Sequence, residues 1–241
     1  MILGNYFPLL ALLLTGMVLS VWFKKLTVPA AITGGICGLL VFAGAGYAGI
    51  AIMAAFFTAG TLATSWQVQK KLYIKAAENN NGQREASQVI ANAGVAALAG
   101  AMALFLPGYA NLWPLLIAAG FSAATADTLA SELGTLYSKR FYNILSWKPD
   151  QRGLDGVVSL EGTLIGIVGS VLIALIYAIA FKWSWHFAII IFAGTIGNLA
   201  DSVLGASFER KGIIKNDAVN FLNTLIAAAV AALTYILVPA S

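Results

Sequence analysis

The sequence predicts an all-α polytopic membrane protein with about eight transmembrane helices. Three observations carry that prediction. Of 241 residues, 60% are hydrophobic and only 10% are charged, against about 25% charged in a soluble domain. The mean hydropathy is +0.85. Apolar runs of about 20 residues, the length that crosses a hydrocarbon core, recur eight times.

The runs cover residues 5–23, 29–46, 47–66, 87–106, 112–136, 157–181, 185–206 and 217–238, and read as one integral membrane domain over residues 1–241. The first lacks a basic leading segment and a small-residue cleavage site, so it reads as a retained span rather than a signal peptide. The second and third are joined tightly through Gly44, Ala45, Gly46 and Tyr47. Pro29 and the Pro107-Gly108 pair mark helix ends, because proline removes a donor and restricts the backbone.

The basic residues test these boundaries. Lys24 and Lys25 follow the first run; Lys70, Lys71, Lys75 and Arg84 the third; Lys139, Arg140, Lys148 and Arg152 the fifth; Arg210, Lys211 and Lys215 the seventh. With eight spans all of them fall on one side, and only Lys182 falls on the other. One missed helix would scramble that count. The positive-inside rule makes the shared side cytoplasmic and both termini external, as in a prokaryotic cytoplasmic membrane. The net charge of +4 therefore reports orientation, and no nucleic-acid partner is expected.

All ten acidic residues map to the same side. Glu78, Glu85, Asp150 and Glu209 read as neutralising the basic loops. The linker over residues 70–84, with Asn79, Asn80, Asn81 and Gly82, reads as a mobile connector. Asp127, Glu132 and Asp201 lie inside predicted spans, where a carboxylate costs about 2.5–3.5 kcal/mol on insertion scales, so they mark a functional site.

Polar residues line up beside them. On the fifth span Asp127 and Ser131 share a face, with Glu132 slightly rotated. On the seventh, Asn198, Asp201, Ser202 and Gly205 form one stripe. On the eighth, Asn216, Asn220, Asn223 and Thr224 do the same, with Asp217 adjacent. The fourth opens with Asn92 and Gly94, and the sixth with Ser159, Glu161, Gly162 and Thr163. Small and hydroxyl residues suffice for helix packing, which accounts for Gly166, Gly169 and Thr163. Packing does not account for formal charges at one depth. Ala126-Asp127-Thr128 also recurs as Ala200-Asp201-Ser202, which suggests parallel helical-hairpin repeats.

Acids, amides and hydroxyls fringed by Arg and Lys suit Mg²⁺, which binds oxygen ligands and bridges carboxylates to phosphates. Zinc is disfavoured: the single histidine, His186, lies at the opposite end with Trp183 and Trp185, and the single cysteine, Cys37, sits in an apolar run. No Gly-x-x-x-x-Gly-Lys-Ser/Thr run is present.

Five segments together resemble a known family. Residues 82–95 resemble a Gly-Gln-Arg…Gln-Val…Asn-Gly-Gly-Val motif, and residues 127–134 its Asp-Thr-Trp-Ala-Ser-Glu-Ile-Gly. Residues 155–166 are similar to its Gly-Gly-Val-Ser/Thr…Gly-Thr segment, 198–205 to Gly-Ser-Leu-Leu-Asp-Ser-Leu-Leu-Gly, and 216–220 to Asn-Asp/His…Val-Asn. The family is the integral membrane phytyl-phosphate kinase group of tocopherol biosynthesis, which includes vertebrate transmembrane protein nineteen. Leu129 stands where the family has Trp, and Glu161 where an apolar residue is expected.

The resemblance implies phosphorylation of an isoprenyl monophosphate to the diphosphate with CTP as donor. Asp127, Glu132 and Asp201, with Asp217 nearby, would hold Mg²⁺ and form the catalytic set. Arg84, Lys139, Arg140, Arg152 and Lys215 would grip phosphates, with Asn92, Ser131, Ser159, Glu161, Thr163, Asn198, Ser202, Asn216 and Asn220 lining the site. The partners are then a membrane lipid or isoprenyl phosphate and a nucleoside triphosphate. The oligomeric state stays open, a homo-oligomer included.

Two other readings use the same residues. A lipid or isoprenoid transporter would also carry intramembrane acids, although transporters set their sites near the midplane between inverted repeats. A CDP-lipid synthase would release pyrophosphate where a kinase releases CDP.

Overall fold

The computed structural model describes residues 6–73 and 83–237. Residues Asn5 and Val238, at the ends of the expected first and last spans, and Lys75 and Glu78 to Gly82 in the connector, lie outside the described residues. The helices are α1 (Tyr6–Trp22), α2 (Val28–Ser65), α3 (Val68–Tyr73), α4 (Ala86–Phe105), α5 (Leu112–Tyr137), α6 (Leu160–Phe181), α7 (His186–Leu204) and α8 (Asn216–Leu237). The chain is an all-α polytopic membrane protein.

The expected second and third spans form one continuous helical segment, α2, with a single break. Gly46 adopts φ 59° and ψ −149° inside it, a conformation open to glycine and costly for other residues. A straight helix of this length would be about 57 Å long. Instead the Lys25 ammonium, just before α2, donates to the Ser65 hydroxyl at its far end, at 2.9 Å. A Cβ at Gly49 would lie 3.0 Å from the Val41 carbonyl oxygen. The two arms therefore run antiparallel. Six helices are long and apolar enough to cross a membrane, with the shorter Phe7–Trp22 beside them; counting the arms of α2 separately gives eight apolar arms among the described residues.

Local signals set the remaining boundaries. Thr27 caps α2, accepting from the Ala30 amide at 3.2 Å, with a proline in the first turn. Glu85 and Gln88 form a capping box at the start of α4. Ser159 caps α6, its hydroxyl accepting from the Gly162 amide at 3.1 Å. Thus α6 starts at Leu160 rather than at 157. Val157–Val158 instead pairs antiparallel with Tyr142–Asn143 in a two-residue ladder, a strand element the all-α expectation did not include. Similarly, α7 ends at Leu204 and continues as a π turn over Gly205–Glu209.

The central helix is α5, which packs against α2, α4, α6, α7 and α8. Leu115, Ile117, Phe121, Ala123 and Ala124 of α5 are fully buried. Small residues let the helices approach closely. A Cβ at Gly100 of α4 would meet the Leu40 carbonyl at 1.9 Å, and one at Gly134 of α5 would meet the Gly162 Cα at 2.6 Å.

Among the described residues, the loops rich in charge gather at one end. Leu26 pairs with Arg84 in a parallel bridge, the Trp66 indole donates to the Tyr137 hydroxyl at 2.6 Å, and Arg210 bonds Asp150 at 2.8 Å. The other end carries the turn Pro107–Tyr109 and His186, whose Nδ1 lies 3.1 Å from the Tyr177 hydroxyl. This placement matches the one-sided distribution of Lys and Arg.

The Asp150–Arg210 pair ties the loop after α5 to the loop after α7. The Arg210 hydrogen bond holds the Asp150 carboxyl below the usual carboxylate range, assisted by the Gln151 amide. A depressed folded-state value means the tie contributes fully at neutral pH and fades as pH falls through and below about 3.9. Melting curves of wild type and Asp150→Asn, recorded across pH 3–7, are expected to differ at pH 7 and to converge toward pH 3.

Candidate functional site

A cavity of about 910 Å³ opens at the charged end, walled by α2 to α8 and the loops after α1 and α5. Twelve of the expected site residues line it: Arg84, Asn92, Asp127, Ser131, Glu132, Ser159, Thr163, Asn198, Asp201, Ser202, Asn216 and Asn220. Their helices begin or end at this depth, so one polar stripe from each faces the same space.

The cavity is electrically divided. Among the described residues its basic groups are Lys25, Lys71 and Arg84, all from the chain before α4. Its described acidic groups are Asp127, Glu132, Asp155, Asp201 and Glu209, all from α5 onward. Arg84 is held by backbone bonds to the loop after α1, its amide donating to the Lys25 carbonyl at 2.9 Å and its carbonyl accepting from Thr27 at 3.1 Å. Its guanidinium lies 5.6 Å from the Phe56 ring and 5.8 Å from that of Phe57.

On the acidic wall, the Asp127 and Asp201 carboxyls lie within hydrogen-bonding reach of each other. They sit at matching depths of the parallel helices α5 and α7, which is where the Ala-Asp-Thr/Ser echo placed them. Glu209 and Glu132 lie within electrostatic reach of Asp127, and Asp155 of both Asp201 and Glu209. Asn223 of α8 donates through Nδ2 to the Asp201 Oδ2 at 2.8 Å.

The expected metal quartet is not assembled. Among the described residues no three His, Cys, Asp or Glu side chains form a metal-holding group. Asp217, in the first turn of α8, lies outside the cavity lining. Glu132 lines the cavity but is occupied: its Oε2 lies 2.5 Å from the Lys71 ammonium, which also donates to the Ala63 and Thr64 carbonyls at 2.6 and 3.3 Å. Lys71 is 2% exposed, and its three acceptors use all three of its N–H groups. What meets in the open is the Asp127–Asp201 pair.

Most of the expected phosphate-gripping residues also lie elsewhere. Lys139, Arg140 and Lys215 are exposed and outside the lining. Arg152 donates to the Ser138 carbonyl at 3.2 Å and lies 4.8 Å from the Phe141 ring, so it braces its own loop. Glu161 falls in the first turn of α6, beyond the lining. Ser159 lines the cavity while serving as helix cap and as acceptor of the Ser138 hydroxyl at 2.7 Å.

Several lining residues escaped the sequence reading. Glu209 reads in the sequence as a loop-neutralising acid, yet it continues the Asn198–Gly205 stripe by one more turn, and that spacing is the signal for it. Asp155 is delivered by Gly156, whose φ is +74° and where a Cβ would strike the Ala206 Cβ at 2.2 Å. That glycine seats the loop on the π turn, a kind of helical irregularity frequent at functional sites. Lys25 and Lys71 carried no local signal, because their partners lie 40 and 61 residues away.

Comparison with known proteins agrees with this architecture. Residues 11–228 match the model of the family described as integral membrane protein DUF92. An uncharacterized membrane protein of Methanocaldococcus jannaschii is 32% identical over 221 residues, covering 90% of each chain. Another, of Synechocystis, is 34% identical over 202 residues, 81% of this chain and 77% of the relative. Protein VTE6, chloroplastic, of Arabidopsis thaliana is 32% identical over 203 residues, 81% of this chain and 61% of that protein. No solved structure matches the chain. The protein belongs to the DUF92 family of integral membrane proteins.

Proposed function

We propose that the protein is a membrane-embedded, Mg²⁺-dependent phosphotransferase that uses CTP to convert an isoprenyl monophosphate into the diphosphate, at the cytoplasmic face. The observation that carries this reading is the divided cavity. Among the described residues five carboxylates face three basic groups across it, an excess of two negative charges when all are ionised. Such a space repels polyphosphates unless a cation accompanies them. Mg²⁺ is typically held by one or two carboxylates, with waters and substrate phosphates completing its shell. The Asp127–Asp201 pair fits that requirement, and the phosphates would lie against Arg84 and Lys25.

The chemistry asks little else of the protein. A phosphate monoester has a second pKa of about 6 and is largely a dianion at neutral pH. Its oxygen attacks the γ-phosphorus, the bond from that phosphorus to the β-bridging oxygen breaks, and CDP leaves. No general base is required, which suits a cavity lined by no histidine. Alignment and charge neutralisation, the main tasks in phosphoryl transfer, fall to the two walls. The five-motif resemblance to the phytyl-phosphate kinase group supports the substrate class, and the position of the cavity at a helix-bundle end supports a lipid-anchored substrate.

The test is product analysis with purified protein in liposomes, labelled isoprenyl monophosphate, CTP and Mg²⁺. Isoprenyl diphosphate with stoichiometric CDP is expected. Pyrophosphate with a CDP-linked lipid would replace this reading by nucleotidyl transfer. Movement of label across the bilayer with neither product would replace it by transport.

A further inference from the structure

No acid of α8 lines the cavity, yet α8 holds one of the two carboxylates that meet there. Asn223 is fully buried. Its Nδ2 donates to Asp201 Oδ2 at 2.8 Å, and among the described residues its Oδ1 accepts no hydrogen bond. The seam around it is tight: a Cβ at Gly197 of α7 would come within 3.0 Å of the Asn223 carbonyl oxygen. A leucine has the same branch point and the same number of side-chain heavy atoms, and would bring no amide oxygen to be orphaned in this seam. An asparagine with one end satisfied and the other bare costs stability in such a place. Unpaired groups of this kind call for an explanation, and the explanation here is the end that is paired.

We propose that Asn223 is the positioning residue of a divalent-cation site formed by Asp127 and Asp201. By tying Oδ2 of Asp201, it restrains rotation of the carboxylate and leaves Oδ1 for the cation. Three helices then set the geometry: α5 and α7 supply the ligands and α8 fixes the orientation of one. This rests on the cation part of the proposed function and is independent of the phosphoryl-transfer chemistry.

The consequence is selectivity. Mg²⁺ demands near-ideal octahedral geometry, whereas Ca²⁺ accepts variable coordination. A carboxylate freed to rotate therefore costs Mg²⁺ more than Ca²⁺. Outer partners of metal ligands typically contribute about 10–100-fold in affinity.

The experiment titrates the full-length protein in detergent with Mn²⁺, following the free-ion paramagnetic resonance signal, and then displaces Mn²⁺ with Mg²⁺ or Ca²⁺. Asn223→Leu is expected to weaken Mg²⁺ about 10-fold or more and Ca²⁺ less than about 3-fold. Thr224→Val is the control: its hydroxyl bonds only its own helix, at the Phe221 carbonyl, 2.9 Å away, and cation binding should match wild type. Gel filtration and melting verify the fold; if the leucine variant does not fold, Asn223→Ser carries the same expectation. Equal losses for both cations, or no loss, would overturn the proposal. So would a wild type that binds Mn²⁺ no better than the Asp127→Asn/Asp201→Asn double variant. Specific cation binding without isoprenyl diphosphate formation would instead remove the kinase reading and leave this one standing.

Discussion

Asp127→Asn and Asp201→Asn are each expected to lower Mg²⁺-dependent turnover by about 10²–10³-fold, the usual cost of removing one preorganised electrostatic group from an active site. The same variants are expected to melt no lower than wild type. Two carboxylates within hydrogen-bonding reach repel each other when both are ionised and nothing lies between them. Asparagine keeps the shape and removes that repulsion, so function and stability should move apart, as they do where a site is maintained against the stability of the fold. Turnover by product analysis, Mn²⁺ binding and melting, measured on one preparation, test this. A variant that retains wild-type Mg²⁺ dependence would dissociate the acid pair from the reaction.

Lys71→Met is expected to be the most destabilising of the substitutions considered. It leaves the Ala63 and Thr64 carbonyls without their shared donor and the Glu132 carboxylate without its counter-ion. Breaking a buried pair by removing one partner costs about 3–5 kcal/mol. Glu132 keeps 24% exposure, so the lower end, about 3 kcal/mol, is the appropriate expectation. The double variant Lys71→Met/Glu132→Gln should recover part of the loss, because the stranded charge is gone while the Thr64 carbonyl still lacks the Lys71 ammonium and the Ala63 carbonyl keeps only the Trp66 amide. Denaturation of the two single variants and the double variant forms the cycle that isolates the pair. Additive effects would show that Lys71 acts through the end of α2 alone.

Most of the architecture was legible because membrane helices announce themselves by length and hydropathy, and because the lysines and arginines gave an independent check on their number. Even the reversal inside α2 had a visible cause in Gly44-Ala45-Gly46. The acid pair was legible too, since Asp127 and Asp201 stand at the same depth in matching tripeptides. What stayed hidden was every feature made by a distant partner. Glu132 reads in the sequence as one more intramembrane acid, and only the fold shows Lys71 against it. Arg152 and Lys215 read as phosphate ligands by charge, but one braces Ser138 and Phe141 and the other is exposed. Charge sign is written in a sequence; the direction of a long flexible side chain is not.

The separation of basic and acidic residues between the two parts of the chain has a mechanical consequence. Among the described residues the cavity groups within each part bear like charges, and the ion pair that links the parts inside the cavity is Lys71–Glu132. A metal–phosphate complex lodged between them would act as mortar, drawing together two surfaces that otherwise rely on apolar helix packing. Its binding free energy would add to the cohesion of the bundle by mass action. The empty and the loaded protein would then differ in toughness more than in shape.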